Sequence, residues 1–317
     1  MLYHYTSPKV IMSIIREEGV CLRFSRYDCL NDTSEGKEAV AIQQEVCEAL
    51  KSEYAGSPEK LQLLDRICAL RPDFKSIHVG EVSTVSAVPY ICSFSRERDA
   101  LTMWNYYTKG THYEGYNVGI EVEGLCLEVF DPDRQDPAEH GSGPAVCLPG
   151  GTESEACFSD GNGCGCCDSG KPELKCEWWS VVYDRQQQAD TIRNEIERIF
   201  SSGSFSENEY VALLNNWAIR FKNEIFRHEK EERLVCYVPE DEAHNEADLD
   251  DFIQFRVVNG CLVPYLDVLV SDKSALKEIT IGPLIEDKLA VNTMELFLRL
   301  KGYSGVKIYT SEAPIRY

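Results

Sequence analysis

A chain of 317 residues with 43% hydrophobic content can bury a full core. Its 53 acidic side chains outnumber 32 basic ones and leave a net charge of −21. That field repels polyanions and anionic membranes and excludes an extended nucleic-acid footprint. A small anionic ligand remains compatible, because one or two arginines and a few donors suffice to hold it. No uninterrupted apolar stretch approaches the roughly 20 residues of a membrane helix. Residues 1–6 carry neither the basic start nor the apolar run of a signal peptide. The expectation is a cytoplasmic chain with no membrane partner.

Residues 2–6 read as a strand. Ser7-Pro8 then opens a helix, since proline is accepted at the first helical position, and Val10, Ile11, Ile14 and Ile15 recur at helical spacing until Gly19. Residues 20–27 alternate as a second strand and end at a turn, 30–35, whose Asn31 and Asp32 offer capping chemistry to a helix running to about residue 51. A further helix follows at 58–70. Residues 88–95 form an apolar strand, 99–107 a helix with an aromatic face, and 116–122 a strand alternating at period two. Periodicity disappears over residues 131–177, and 135–177 reads as a cysteine-rich insertion. A strand at 178–183, helices at 185–200 and 207–226, and strands at 231–238, 252–257, 262–270 and 276–281 come next. Asn259-Gly260 marks a hairpin turn. A helix at 289–300 and a strand at 306–310 complete the order. Runs of strands mix with runs of helices, which predicts one elaborated α+β domain over residues 1–317, with mixed, largely antiparallel sheets and flanking helices.

Several groups of residues carry candidate chemistry. On the first strand His4 and Thr6 share one face and Tyr3 and Tyr5 the other. A neutral imidazole there can hydrogen-bond a ribose hydroxyl, or be satisfied by a backbone carbonyl. Asn31, Asp32 and Glu35 serve turn geometry unless their carboxylates face His4. Ser93 and Ser95, with Trp104 and Tyr107, form either a shelf for a flat ring or ordinary core.

Glu229, Glu231 and Arg233 project to one face at strand spacing. Adjacent carboxylates raise one another's pKa and an arginine lowers it, as at many active sites. Such a carboxylate can hold a ribose hydroxyl and stabilise an oxocarbenium ion, whereas the bland alternative is a solvated entry to a strand.

Of the fourteen cysteines, Cys68, Cys92, Cys126, Cys236 and Cys261 sit singly in apolar segments and read as reduced core thiols. Cys157, Cys164, Cys167 and Cys176 can complete a tetrahedral structural zinc site, with free thiols or oxidised pairs as the alternative.

Taken together, these segments resemble a bacterial family, domain-of-unknown-function family 2971. The matching pieces are Leu2-Tyr3-His4-Tyr5-Thr6, Leu30-Asn31-Asp32 with Glu35, Ser93-Phe94-Ser95 with Met103-Trp104 and Tyr107, Gly119-Ile120, the Glu229, Glu231, Arg233 triplet, Ile281-Gly282-Pro283, and Ser311 with Arg316. The insertion has no counterpart there, and the family name asserts no activity. A looser similarity is to the histidine, tyrosine, glutamate order of ADP-ribosyltransferases. It implies that His4 holds the adenosine-side ribose of NAD, that Tyr107 or Trp104 stacks on nicotinamide, and that Glu229 or Glu231 binds the nicotinamide ribose. Tyr5, Thr6, Asn31, Asp32, Glu35, Ser93, Ser95, Arg233 and Arg316 would line the same site. The aromatic lies on a predicted helix where that superfamily has a strand. The implied function is cleavage of NAD and transfer of ADP-ribose to an unknown acceptor macromolecule. The alternatives are a hydrolase or transferase acting at a nucleotide or nucleic-acid end, and a non-catalytic ligand-sensing or interaction module of a bacterial defence system.

Overall fold

The computed structural model describes residues 1–29, 36–79, 83–108, 114–121, 126–130, 145–147, 173–239, 252–285 and 287–314. In chain order its first half contains β1 (Leu2–Thr6), α1 (Pro8–Ile14), β2 (Val20–Arg26), α2 (Lys37–Glu53), α3 (Pro58–Ala69), β3 (Ser76–Val79), β4 (Ser83–Ser95), α4 (Leu101–Thr108) and β5 (Tyr116–Ile120). The second half contains β6 (Cys126–Phe130), β7 (Ala145–Cys147), β8 (Glu173–Ser180), α5 (Arg185–Ser202), α6 (Glu207–Arg220), β9 (Glu231–Pro239), β10 (Gln254–Val258), β11 (Cys261–Val270), β12 (Leu276–Ile281), α7 (Asp287–Leu300) and β13 (Lys307–Thr310). The class is α+β, and among the described residues all strand pairs are antiparallel except β7 with β8 and β12 with β13.

Following the hydrogen-bonded neighbours from β4 through β9, β8, β7, β6 and β11 leads to β2, which pairs back onto β4. These seven strands therefore close a ring, which leaves them few free edges. Period-two alternation explains its filling: Leu22 and Phe24, Val88, Tyr90, Cys92 and Phe94, Leu127 and Val129, Leu234, Cys236 and Val238, and Leu266 and Val268 share one buried cluster. From the end of β4 a wing of β1, β5, β12 and β13 extends the sheet, joined by the Tyr3 to Ser95 pairing. Helix α7 packs on β12 and β13 of that wing through Met294 and Leu298, while α1 packs against β2 of the ring through Ile11 and Ile14. Helices α2, α3, α5 and α6 form a second apolar cluster around Ile42, Leu64, Ile192 and Leu214. Ile219 of α6 packs with Ile91, Val235 and Tyr237, so this helical layer meets the outer face of β4 and β9.

Two expected helices are shorter than their sequence pattern. The first stops at Ile14 because Ile15 bridges to Val20, and Gly19, at φ 151°, passes so close to Val270 that a Cβ would lie 2.1 Å from its carbonyl oxygen. The helix expected over 207–226 ends at Arg220; Phe221 bridges to Val182, and a 3-10 turn covers Glu224–Glu229. Strands β3, β6 and β7 are additional to the sequence expectation. The Asn259-Gly260 turn is as expected, with both residues at positive φ (49° and 82°), the geometry of a type I′ hairpin.

Candidate functional site

Directly opposed residues of neighbouring strands project to the same face. Ser93 opposes Arg233 and Ser95 opposes Glu231, so both hydroxyls share the outer face of the ring with the carboxylate and the guanidinium. Glu229 joins them, but from the end of the 3-10 turn and not from the strand, with Lys230 taking a left-handed conformation between them at φ 44°. Lys222, in the segment that follows α6, completes the group. Its Nζ lies 2.6 Å from Glu229 Oε2 and 2.9 Å from Glu231 Oε2. Arg233 donates through Nε to Glu231 Oε1 (2.8 Å) and through Nη1 to the Ile219 carbonyl (2.7 Å). Ser95 Oγ donates to the Glu229 carbonyl (2.7 Å), and the Glu231 N–H donates to the Tyr183 hydroxyl (3.0 Å).

The two carboxylates titrate in opposite directions. Burial pushes Glu231 up, but Arg233 and Lys222 outweigh it and hold the group at about 2. Burial also raises Glu229, and Lys222 offsets this only in part, so its net shift is upward. Burial lowers Lys222, yet Glu231 and Glu229 reverse that and leave it raised. Two cations face two anions, and the group is charge-balanced.

Above Glu231 opens a cleft of about 330 Å³, at the ring end where β8 stops and β9 starts. Arg96, Ser180, Val181, Tyr183, Arg227, Lys230 and Glu232 line it with Glu231. Glu232 is buried, accepts from Ser180 Oγ at 2.9 Å on both oxygens, and is ion-paired with Arg96. The Arg96 side chain is 61% exposed. Arg96 also donates through Nη2 to Ser180 Oγ at 3.2 Å.

His4 does not face the Glu231 group. Because Tyr3 opposes Ser95, Tyr3 and Tyr5 belong to the outer face and His4 to the inner one. Its ring lies 5.6 Å from that of Phe94, and Nδ1 is 2.9 Å from the Ser93 carbonyl, which can only accept. Nδ1 thus carries the hydrogen. Burial lowers the imidazole pKa and the Ser93 bond works against it, with a net downward shift. The expected convergence of His4 with Glu229 and Glu231 is corrected by the side-chain alternation of β1 and β9. The carboxylate on the histidine's own face is Glu232, which opposes Phe94. The signal was present in the sequence, since Leu234, Cys236 and Val238 set the inward phase that Glu232 continues.

The aromatic shelf also divides. Trp104 is fully buried, donates to Asp99 Oδ1 at 2.7 Å and meets the Tyr5 ring edge-on at 4.8 Å. Tyr5 itself donates to the Glu97 carbonyl (2.9 Å) and accepts from the Ala100 N–H (3.0 Å), so both rings fasten α4 to β1. Thr6 is buried on the inner side of β1. Tyr107 is 45% exposed and stacks 6.4 Å from Tyr5. Its neighbour Tyr106 stacks on His228, one residue before Glu229, at 5.5 Å.

Asn31, Asp32, Glu35, Arg316, Cys157, Cys164 and Cys167 lie outside the described residues. Cys176 faces the ring interior directly opposite Cys236, where burial and that neighbouring thiol push it well above the usual thiol range. Among the described residues no group of three His, Cys, Asp or Glu is placed to hold a metal ion, and no helix is long and apolar enough to cross a membrane. No family model, curated protein or solved structure matches this chain. Function therefore rests on the chemistry of the site.

Proposed function

We propose that the protein cleaves the nicotinamide glycosidic bond of NAD and transfers ADP-ribose to an acceptor, as ADP-ribosyltransferases do, with Glu232 as the carboxylate at the reacting centre. In this reaction the bond from ribose C1′ to the nicotinamide nitrogen breaks and its electron pair leaves with nicotinamide. The acceptor nucleophile bonds to C1′ and loses a proton. The observation that carries the reading is a buried carboxylate, Glu232, held by a serine hydroxyl and an exposed arginine in a cleft rimmed by Arg96, Arg227 and Lys230. Positive charge develops on the ribose as the bond breaks, and a buried carboxylate stabilises it. A transition state that gains negative charge, as in phosphoryl transfer, would be opposed by Glu232 once Arg96 is drawn away from it. The basic rim suits the pyrophosphate, whose charge would recruit Arg96 and free Glu232.

His4 keeps its ribose-holding role in this reading, on the Glu232 face and two strand spacings away, about 10 Å. Glu229 and Glu231 become supports of the cleft floor. Family 2971 membership, and a structural zinc held in the cysteine-rich segment by Cys157, Cys164 and Cys167, belong to the same proposal. The fourth zinc ligand would be a residue other than Cys176. The test is incubation of the purified chain with NAD, with protein and nucleic-acid acceptors supplied, following free nicotinamide and acceptor mass. Nicotinamide release with an ADP-ribose mass gain is expected. No release with any acceptor would overturn the proposal.

A further inference from the structure

A second polar surface lies across the ring from the cleft, on the outer face of β2, β10 and β11. Here Arg23 grips Asp267 with two bonds, Nε to Oδ1 at 2.8 Å and Nη2 to Oδ2 at 2.9 Å, and its guanidinium lies 3.9 Å from the centre of the Tyr265 ring. Both Asp267 oxygens are engaged by that pair. Arg256 of β10 opposes Val263, on the face that carries Tyr265 and Asp267. Its Nη2 donates to Ser25 Oγ at 2.8 Å, but its Nε is buried with no acceptor among the described residues. Two residues along the same face, Gln254 repeats the pattern. Its Oε1 accepts from the Tyr265 hydroxyl at 2.8 Å, while its Nε2 is buried with no acceptor among the described residues.

Two buried donors on adjacent same-face positions, both lacking an acceptor, are a costly arrangement. One of them belongs to a guanidinium beside a second guanidinium. Burial lowers the Arg256 pKa and repulsion from Arg23 adds to that shift. Tyr265 and Asp267 offset that shift only in part, and both unmet atoms are donors, so what is missing is an acceptor. We propose that this face binds a small oxyanion, a phosphate or carboxylate group, held by Arg256 and Gln254 between Arg23 and Ser25. The planar fork of arginine suits either group, and the glutamine amide supplies the third donor.

The experiment is thermal unfolding of the full chain in inorganic phosphate and, separately, in acetate, at an ionic strength fixed with chloride. Phosphate is expected to raise the Tm by about 4 °C at a hundredfold excess over its Kd. Acetate matching phosphate would assign the site to carboxylates, and acetate failing where phosphate succeeds would assign it to phosphate groups. Arg256→Met should abolish the shift while leaving the Tm in chloride unchanged or higher. Gln254→Ala and Arg256→Lys should each weaken anion binding at least about tenfold, and either serves if the methionine variant does not fold. No rise with either anion would overturn the proposal, as would a full rise retained by all three variants.

Discussion

On the inner face of β9, Leu234, Cys236 and Val238 pack into the ring with side chains of β2, β4, β6, β8 and β11. On its outer face Glu231 and Arg233 engage each other, Lys222 and the Ile219 carbonyl. The apolar face gains from burial without regard to direction, so a smaller side chain costs what it no longer fills. The charged face is balanced only when complete. Removing one member leaves an opposite charge buried without its partner, a larger penalty than the pair itself is worth.

The largest effect should therefore come from Lys222→Met, which strands Glu229 and leaves Glu231 to Arg233 alone. A loss of about 3–5 kcal/mol in denaturant unfolding is expected. Adding Glu229→Gln to it should recover part of that loss, and a purely additive double variant would deny that the group acts as a unit. Leu234→Ala, on the other face, should cost about 3 kcal/mol. No second substitution on the outer face should rescue it.

The titration of the outer group sharpens the contrast further. Glu231 has its pKa depressed to about 2, so its contribution is present above the unfolded carboxylate value and is lost as the pH falls towards 2. Glu229 has a raised pKa, so its contribution is greatest at low pH and is lost as the pH rises through its folded value. The stability gap between Glu231→Gln and the wild type should thus widen from pH 3 to pH 6, while that of Glu229→Gln narrows. Parallel profiles would contradict the opposite shifts. The smallest effect is expected for Ser180→Ala, which removes one hydroxyl donor from Glu232 and should cost about 1 kcal/mol.

The inner face was legible in the sequence, because Leu234, Cys236 and Val238, and Val88, Tyr90, Cys92 and Phe94, alternate at period two. Closure of the ring was not. It depends on the register of β2 against both β11 and β4, between segments distant in the chain, and on the short strands β6 and β7. The outer group was legible in part. Alternation placed Glu231 with Arg233, but Glu229 arrives through a 3-10 turn, and Lys222 was hidden in a stretch that reads as continuous helix with neither glycine nor proline to stop it. His4 and Thr6 were correctly read as sharing a face. Which glutamate they share it with required the Tyr3 to Ser95 register.

The most direct test of the account is the rate of nicotinamide release from NAD by Glu232→Gln, compared with the wild type at equal folded fraction. A Tm close to wild type is expected, with a rate lower by a factor of about 100 or more, the usual loss when a charge-stabilising group is removed from a reacting centre. Release at the wild-type rate by a folded Glu232→Gln would contradict it.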